Sequence, residues 1–192
     1  MISTLVGYTG GTADNPTYRH IGDHIEAIRI EFDPRQVTYV DLLDIFWQSH
    51  DPTYDVFVRQ YTNAIFTMTN AQMEQAQKSL EDIADVIHSK ITTYIEPAGI
   101  FHPAEDYHQK YLLKEADGLY RELKTIYPDE KDFAASTATA KLNGYLGCNG
   151  NPEILAAEMS ELGLSPPMQQ RLLTYVTTSC EGFSGLSCPV PE

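Results

Sequence analysis

Residues 2–8 have the make-up of a short strand, and residues 24–30 alternate apolar and polar positions with the two-residue period of a second. In the second, Glu26 falls on the same side as Ile28 and Ile30, which predicts a carboxylate facing inward. Asp33-Pro34 breaks that strand. The period then becomes helical: Tyr39, Leu42, Leu43, Phe46 and Trp47 share one face of a helix over 39–49, with Thr38 placed to cap it. His50-Asp51-Pro52 punctuates its end, and a loop over 55–61 carries Arg59-Gln60-Tyr61. Residues 63–68 read as a buried strand. Residues 70–89 read as a long helix capped by Asn70, with Met73, Ala76, Leu80, Ile83, Ala84 and Ile87 as its stripe. Residues 91–95, β-branched and aromatic, predict another strand.

Pro103 suits the first turn of a helix over 104–115. Beyond it only helical patterns follow, at 120–126, 131–141, 152–162 and 166–178, with Gly-rich breaks at 143–150 and 181–185. The order, strands mixed with helices and then helices alone, predicts an α+β protein with residues 1–115 as one domain and 116–192 as a helical extension.

Charge narrows the partners. Against 13 Lys+Arg stand 27 Asp+Glu, a net charge of −14, and that field repels nucleic-acid backbones and anionic membranes. No run approaches the roughly 18 apolar residues of a membrane span. The N-terminus has neither the basic and apolar regions of a signal peptide nor an Arg-rich transit character, so the expected compartment is the cytosol. The three cysteines, Cys148, Cys180 and Cys188, fit neither a disulfide scaffold nor a zinc ribbon. In a reducing cytosol they are free or redox-active thiols.

The candidate chemistry gathers near the N-terminus. Gly10-Gly11 makes a turn without the GxGxxG context of a dinucleotide site. Asn15-Pro16-Thr17-Tyr18 is a turn that presents a hydroxyl. An inward Glu26 would have its pKa raised by desolvation and could donate a proton near neutrality; at the sheet rim it would instead be solvated. Glu105 and His108 stand three residues apart, as a metal pair can, but no second pair accompanies them, and acidic residues early in a helix favourably meet its positive end. No metal or cofactor is expected. Cys180 and Cys188 bracket a Gly/Ser-rich segment that could close a disulfide, or they are two unrelated tail thiols.

Six stretches in order carry a resemblance: Val6-Gly7-Tyr8-Thr9-Gly10-Gly11, Asn15-Pro16-Thr17-Tyr18, Gly22-Asp23-His24-Ile25-Glu26, Phe46-Trp47-Gln48-Ser49-His50-Asp51-Pro52, Arg59-Gln60-Tyr61, and Pro103-Ala104-Glu105-Asp106-Tyr107-His108-Gln109-Lys110-Tyr111. Together they resemble peptide methionine sulfoxide reductase of the A type over residues 2–112. The segment 136–150 and the helices after it look like the C-terminal extension of some members. The resemblance implies a split βαβ (ferredoxin-like) two-layer sandwich. It also implies reduction of the S-epimer of methionine sulfoxide, free or in proteins, as repair under oxidative stress. In that chemistry a thiolate attacks the sulfur, a glutamic acid and tyrosine hydroxyls polarise the oxygen, and thioredoxin clears the resulting disulfide.

By that resemblance Tyr18, Glu26 and Tyr61 take the hydroxyl and carboxyl roles in catalysis and substrate binding. The family's further aspartate has Val56 as its counterpart, with Asp55 beside it. Cys180 and Cys188 match the spacing of a resolving or recycling pair. The family's Gly-Cys-Phe-Trp stretch, which supplies the nucleophile, has no counterpart here. The expectation is therefore a sandwich short of its first strand and helix, read as a truncated form with impaired turnover. The alternative is a non-catalytic sulfoxide-binding or interaction protein. A third reading puts Cys148 in place of the nucleophile.

Overall fold

Strand β1 (Ser3–Thr9) lies between β2 (Ile25–Glu31) and the two-residue β5 (His102–Pro103) in a three-stranded sheet. The computed structural model describes residues 2–180. They form two compact units: one spans Val6–Glu105, and the other joins residues 2–5 to residues 106–180. The structure is mixed α+β, as the pattern along the chain predicts.

Within Val6–Glu105, Thr38 caps α1 (Tyr39–Gln48) through a reciprocal pair: its Oγ1 accepts from the Asp41 amide, and its own amide donates to the Asp41 carboxylate. The helix buries Leu43 and Trp47 against Ile65 of β3 (Ala64–Thr67) and Ala76 of α2 (Asn70–Ile87). Thr69, not Asn70, caps α2, and Trp47 reaches it through Nε1–H donated to Ser79 Oγ at 2.9 Å. Strand β4 (Tyr94–Pro97) pairs parallel to β3, Ala64 opposite Tyr94, so β3–α2–β4 is a βαβ crossover.

Two readings of this region need correction. On β2, Ile25 is buried while Ile28 is 57% exposed and Glu26 is exposed. Only Ile25 of β2 is buried, with Ala27 and Ile30 half-buried; β2 is an edge strand, and Glu26 stands on an open face rather than inside. Nor does Pro103 open a helix. It pairs with Gly7 on edge strand β5, where a missing N–H costs nothing.

The second unit is helical. A turn at Asp106–His108 precedes α3 (Tyr111–Glu115), then α4 (Asp117–Ile126), α5 (Glu130–Ala135), α6 (Thr137–Leu146), α7 (Pro152–Glu158) and α8 (Pro166–Ser179). The single helix expected over 131–141 is two, because Ser136 leaves the helical conformation and caps α6 with its side chain. Leu113, Leu123, Phe133, Leu142, Leu155 and Leu172 are fully buried at its centre. Lys114 and Lys124 both pair with Glu130 and stand over the Phe133 ring. Residues 2–5 belong here by their bonds: Lys110 Nζ donates to the backbone and hydroxyl oxygens of Thr4, and Thr137 Oγ1 donates to Ile2 O.

Candidate functional site

The site is built on the connection between β1 and β2. Gly10 has φ +75°, and a Cβ there would stand 2.6 Å from the Phe66 ring, so both backbone angle and space require glycine. A Cβ on Gly11 would meet the His24 amide at 2.6 Å. With these two in place the chain folds back on itself. The Asp23 carboxylate accepts from the amides of Thr12 and Ala13 and from the Thr12 hydroxyl. Those bonds, the Thr12 amide foremost, hold its pKa down at about 2. Buried His24 accepts the Gly11 N–H at Nδ1 and donates Nε2–H to Ala13 O at 2.8 Å.

Tyr18 is presented by this connection and pinned from behind. Its amide donates to Glu105 Oε1 at 3.1 Å, and Glu105 Oε2 accepts the hydroxyl of buried Tyr8 at 2.7 Å. The acidic reading of residues 104–108 is corrected here: Glu105 lies outside any helix, and its carboxylate serves two tyrosines rather than a helix end. Among the described residues no cluster of three metal-ligating side chains occurs, so the Glu105–His108 pair gathers no further ligands.

Opposite Tyr18 stands the 3-10 turn Arg59–Tyr61. Each of its residues makes a different bond. Arg59 donates Nε–H to Asp23 O at 2.6 Å and Nη2–H to Gly10 O at 2.9 Å. Gln60 Nε2 donates to the Glu26 carboxylate at 2.6 Å. The Tyr61 hydroxyl lies 3.5 Å from that of Tyr18. The Tyr61 pKa is raised, first by its bond to Tyr18 and then by desolvation and the nearby Tyr18 and Glu26 charges.

Tyr18, Glu26 and Tyr61 thus come together, from a loop, a strand and a turn separated by dozens of residues. Asp55 is exposed and Val56 half-buried, and neither is bonded into the cluster. Two phenols and a carboxyl on an open face make a hydrogen-bonding surface for a small, strongly accepting oxygen. Sequence reasoning missed the support. Arg59, Gln60 and Asp23 stand inside the motifs that carry the resemblance, but nothing in their spacing says what they bond; Glu105 was visible and assigned to the wrong partner.

The cysteines also differ from expectation. Cys148, at φ +58° after α6, is disulfide-bonded to Cys180 at the end of α8. A Cys180–Cys188 bridge is not the pairing the structure contains; Cys188 lies outside the described residues. Joined in this way Cys148 carries no thiolate in this structure, and it becomes a thiol only when the bridge is reduced. Helices α6 and α8 bring the two sulfurs together, a long-range fact that spacing along the chain does not encode.

Comparison with known proteins gives concordant matches. The sequence model of the family described as peptide methionine sulfoxide reductase matches residues 1–141, farther than the motifs reach and into the first half of α6. A peptide methionine sulfoxide reductase of Drosophila melanogaster is 37% identical over 190 residues, 98% of this chain and 75% of that protein. Peptide methionine sulfoxide reductase A5 of Oryza sativa is 40% identical over 162 residues, 80% of this chain. The match spans 63% of the rice protein's length. The crystal structure of Mxr1 from Saccharomyces cerevisiae in reduced form aligns with a TM-score of 0.56 at 29% identity, covering 60% of this chain and 72% of that one.

Proposed function

Since the chain belongs to the peptide methionine sulfoxide reductase family, which repairs oxidised methionine, we propose that Tyr18, Tyr61 and Glu26 bind the oxygen of a methionine-S-sulfoxide, free or in a protein. The observation that carries this is the 3.5 Å approach of the Tyr18 and Tyr61 hydroxyls beside a carboxylate held by Gln60. A sulfoxide oxygen is a strong acceptor with two lone-pair directions. Two phenolic O–H groups can meet both, and the Glu26 carboxyl, held by Gln60, stands beside them to pass a proton to the oxygen as the S–O bond weakens. Full reduction consumes two thiols and two electrons: sulfoxide and two thiols give thioether, disulfide and water.

The chain's cysteines stand at 148, 180 and 188, so residues 6–105 supply the oxygen side of this chemistry and no sulfur nucleophile. The 192-residue chain therefore binds sulfoxide with impaired turnover. The related non-catalytic reading, a sulfoxide-binding protein, rests on the same lack of a sulfur nucleophile among residues 6–105. A thioredoxin-type dithiol is the reductant that family membership suggests, and Cys148–Cys180 is the disulfide it would open. The cytosol is the compartment consistent with that chemistry. Among the described residues no helix is long and apolar enough to cross a membrane.

Calorimetry with a methionine-S-sulfoxide peptide, its reduced form and its R-epimer tests the reading. Binding of the S-sulfoxide alone, weakened in Tyr61→Phe and Glu26→Ala, supports it; no heat at millimolar peptide rejects it. Clear turnover with dithiothreitol, abolished by Glu26→Ala, would overturn the impairment.

A further inference from the structure

We propose that Arg59 is the positioning residue of this site, a clamp that sets the turn carrying Gln60 and Tyr61 against Glu26 and Tyr18. The inference rests on the sulfoxide reading for its ligand but on separate bonds for its geometry. The guanidinium is planar and presents Nε–H and Nη–H donors in a fixed fork. In Arg59 the fork spans the two ends of the β1–β2 connection: Gly10 O, where the chain leaves β1, and Asp23 O, just before it enters β2. Both acceptors are main-chain carbonyls of a segment already fixed by the Asp23 and His24 bonds, so the clamp closes on a rigid anvil.

What Arg59 fixes follows from the turn itself. A 3-10 turn of three residues has a single closing set of backbone bonds, here Tyr61 N to Val58 O and Thr62 N to Arg59 O. Such a turn has little hold of its own on register. Gln60 and Tyr61 follow Arg59 directly. The amide that orients the Glu26 carboxylate and the phenol that faces Tyr18 therefore take their positions from where the guanidinium is tied. The Gln60–Glu26 bond joins the ends of two flexible side chains and would not by itself fix the backbone, whereas the Arg59 bonds close on main-chain carbonyls. Arg59 touches neither the proposed substrate nor a reacting atom; it acts through its two neighbours. A lysine has a compact charge without the planar fork, so it cannot reproduce both bonds in one geometry.

The test uses the full chain labelled at the tyrosine ζ carbons, with the Tyr18 and Tyr61 signals identified by their Phe variants. Two readouts are taken, the Tyr61 titration midpoint and the affinity for a methionine-S-sulfoxide peptide. In Arg59→Ala the raised Tyr61 midpoint falls toward the ordinary tyrosine value, and affinity falls about tenfold, as expected for losing charge-assisted bonds that order a site. Arg59→Lys lies between Ala and wild type, and millimolar guanidinium ion moves the Ala variant back toward wild type. Loss of general stability alone would not be restored by that ion. A Tyr61 midpoint unchanged in both variants overturns the proposal. If wild type fails to bind the peptide, the sulfoxide reading falls while the Tyr61 midpoints still decide the role of Arg59.

Discussion

Tyr8 gives its hydroxyl proton to Glu105 across 2.7 Å, and the same carboxylate takes the backbone N–H of Tyr18. A strand residue only 2% exposed is thereby coupled to the turn that presents a candidate site hydroxyl. Tyr8→Phe removes a buried donor from a carboxylate, at an expected cost of about 1–3 kcal/mol. Urea unfolding measures it. Sulfoxide affinity should fall in the same variant, since Tyr18 loses its fixed support.

Asp23 should dominate the acid behaviour of the β1–β2 connection. Its folded pKa is depressed from 3.8 to about 2, so its stabilising bonds are complete above the unfolded value and are lost as pH falls from about 4 through about 2. Amide exchange of Thr12 and Ala13 against pH reports it. In Asp23→Asn the acid-linked change at those two amides should vanish.

Lys110 predicts a slope of the same sign at the alkaline end. Burial lowers its pKa from 10.5 to about 8. Between those values the unfolded chain holds a proton that the folded chain has released, so stability rises with pH from about 8 to about 10.5. The alkaline rise in the urea midpoint should disappear in Lys110→Met, which also gives up the bonds to Thr4.

Opening the Cys148–Cys180 disulfide should loosen the helical unit. The bridge closes a span of 32 residues, for which loop-closure entropy gives about 3–4 kcal/mol. Cys148→Ser should lower the urea midpoint accordingly, and a peptide map of the oxidised chain should link 148 to 180. A map linking 180 to 188 instead would replace this pairing.

The local parts of the fold were legible from the chain. Thr38 was readable as a cap because capping depends on a side chain and an amide three residues away. The α2 stripe was readable because helical period is a local quantity. What escaped depends on distant partners. For Glu26, alternation fixes which residues share its face and not which face is covered. Pro103 reads as a helix opener until Gly7, nearly a hundred residues earlier, is seen opposite it. Tyr18, Glu26 and Tyr61 were found through the ordered motifs they share with a family. Arg59 stood among those motifs with no local sign of the carbonyls it holds.

Strand β1 is divided between the two units, its first residues grouped with the helices and the remainder with the sheet. A ribosome delivers that strand before any of the chain that will bond to it there: Thr4 waits for Lys110, 106 positions later, and Ile2 for Thr137, 135 positions later. A cut at residue 105 would therefore part the helical unit from residues 2–5, which are grouped with it. Both closures span more than a hundred residues, contacts of the long-range kind that slow folding.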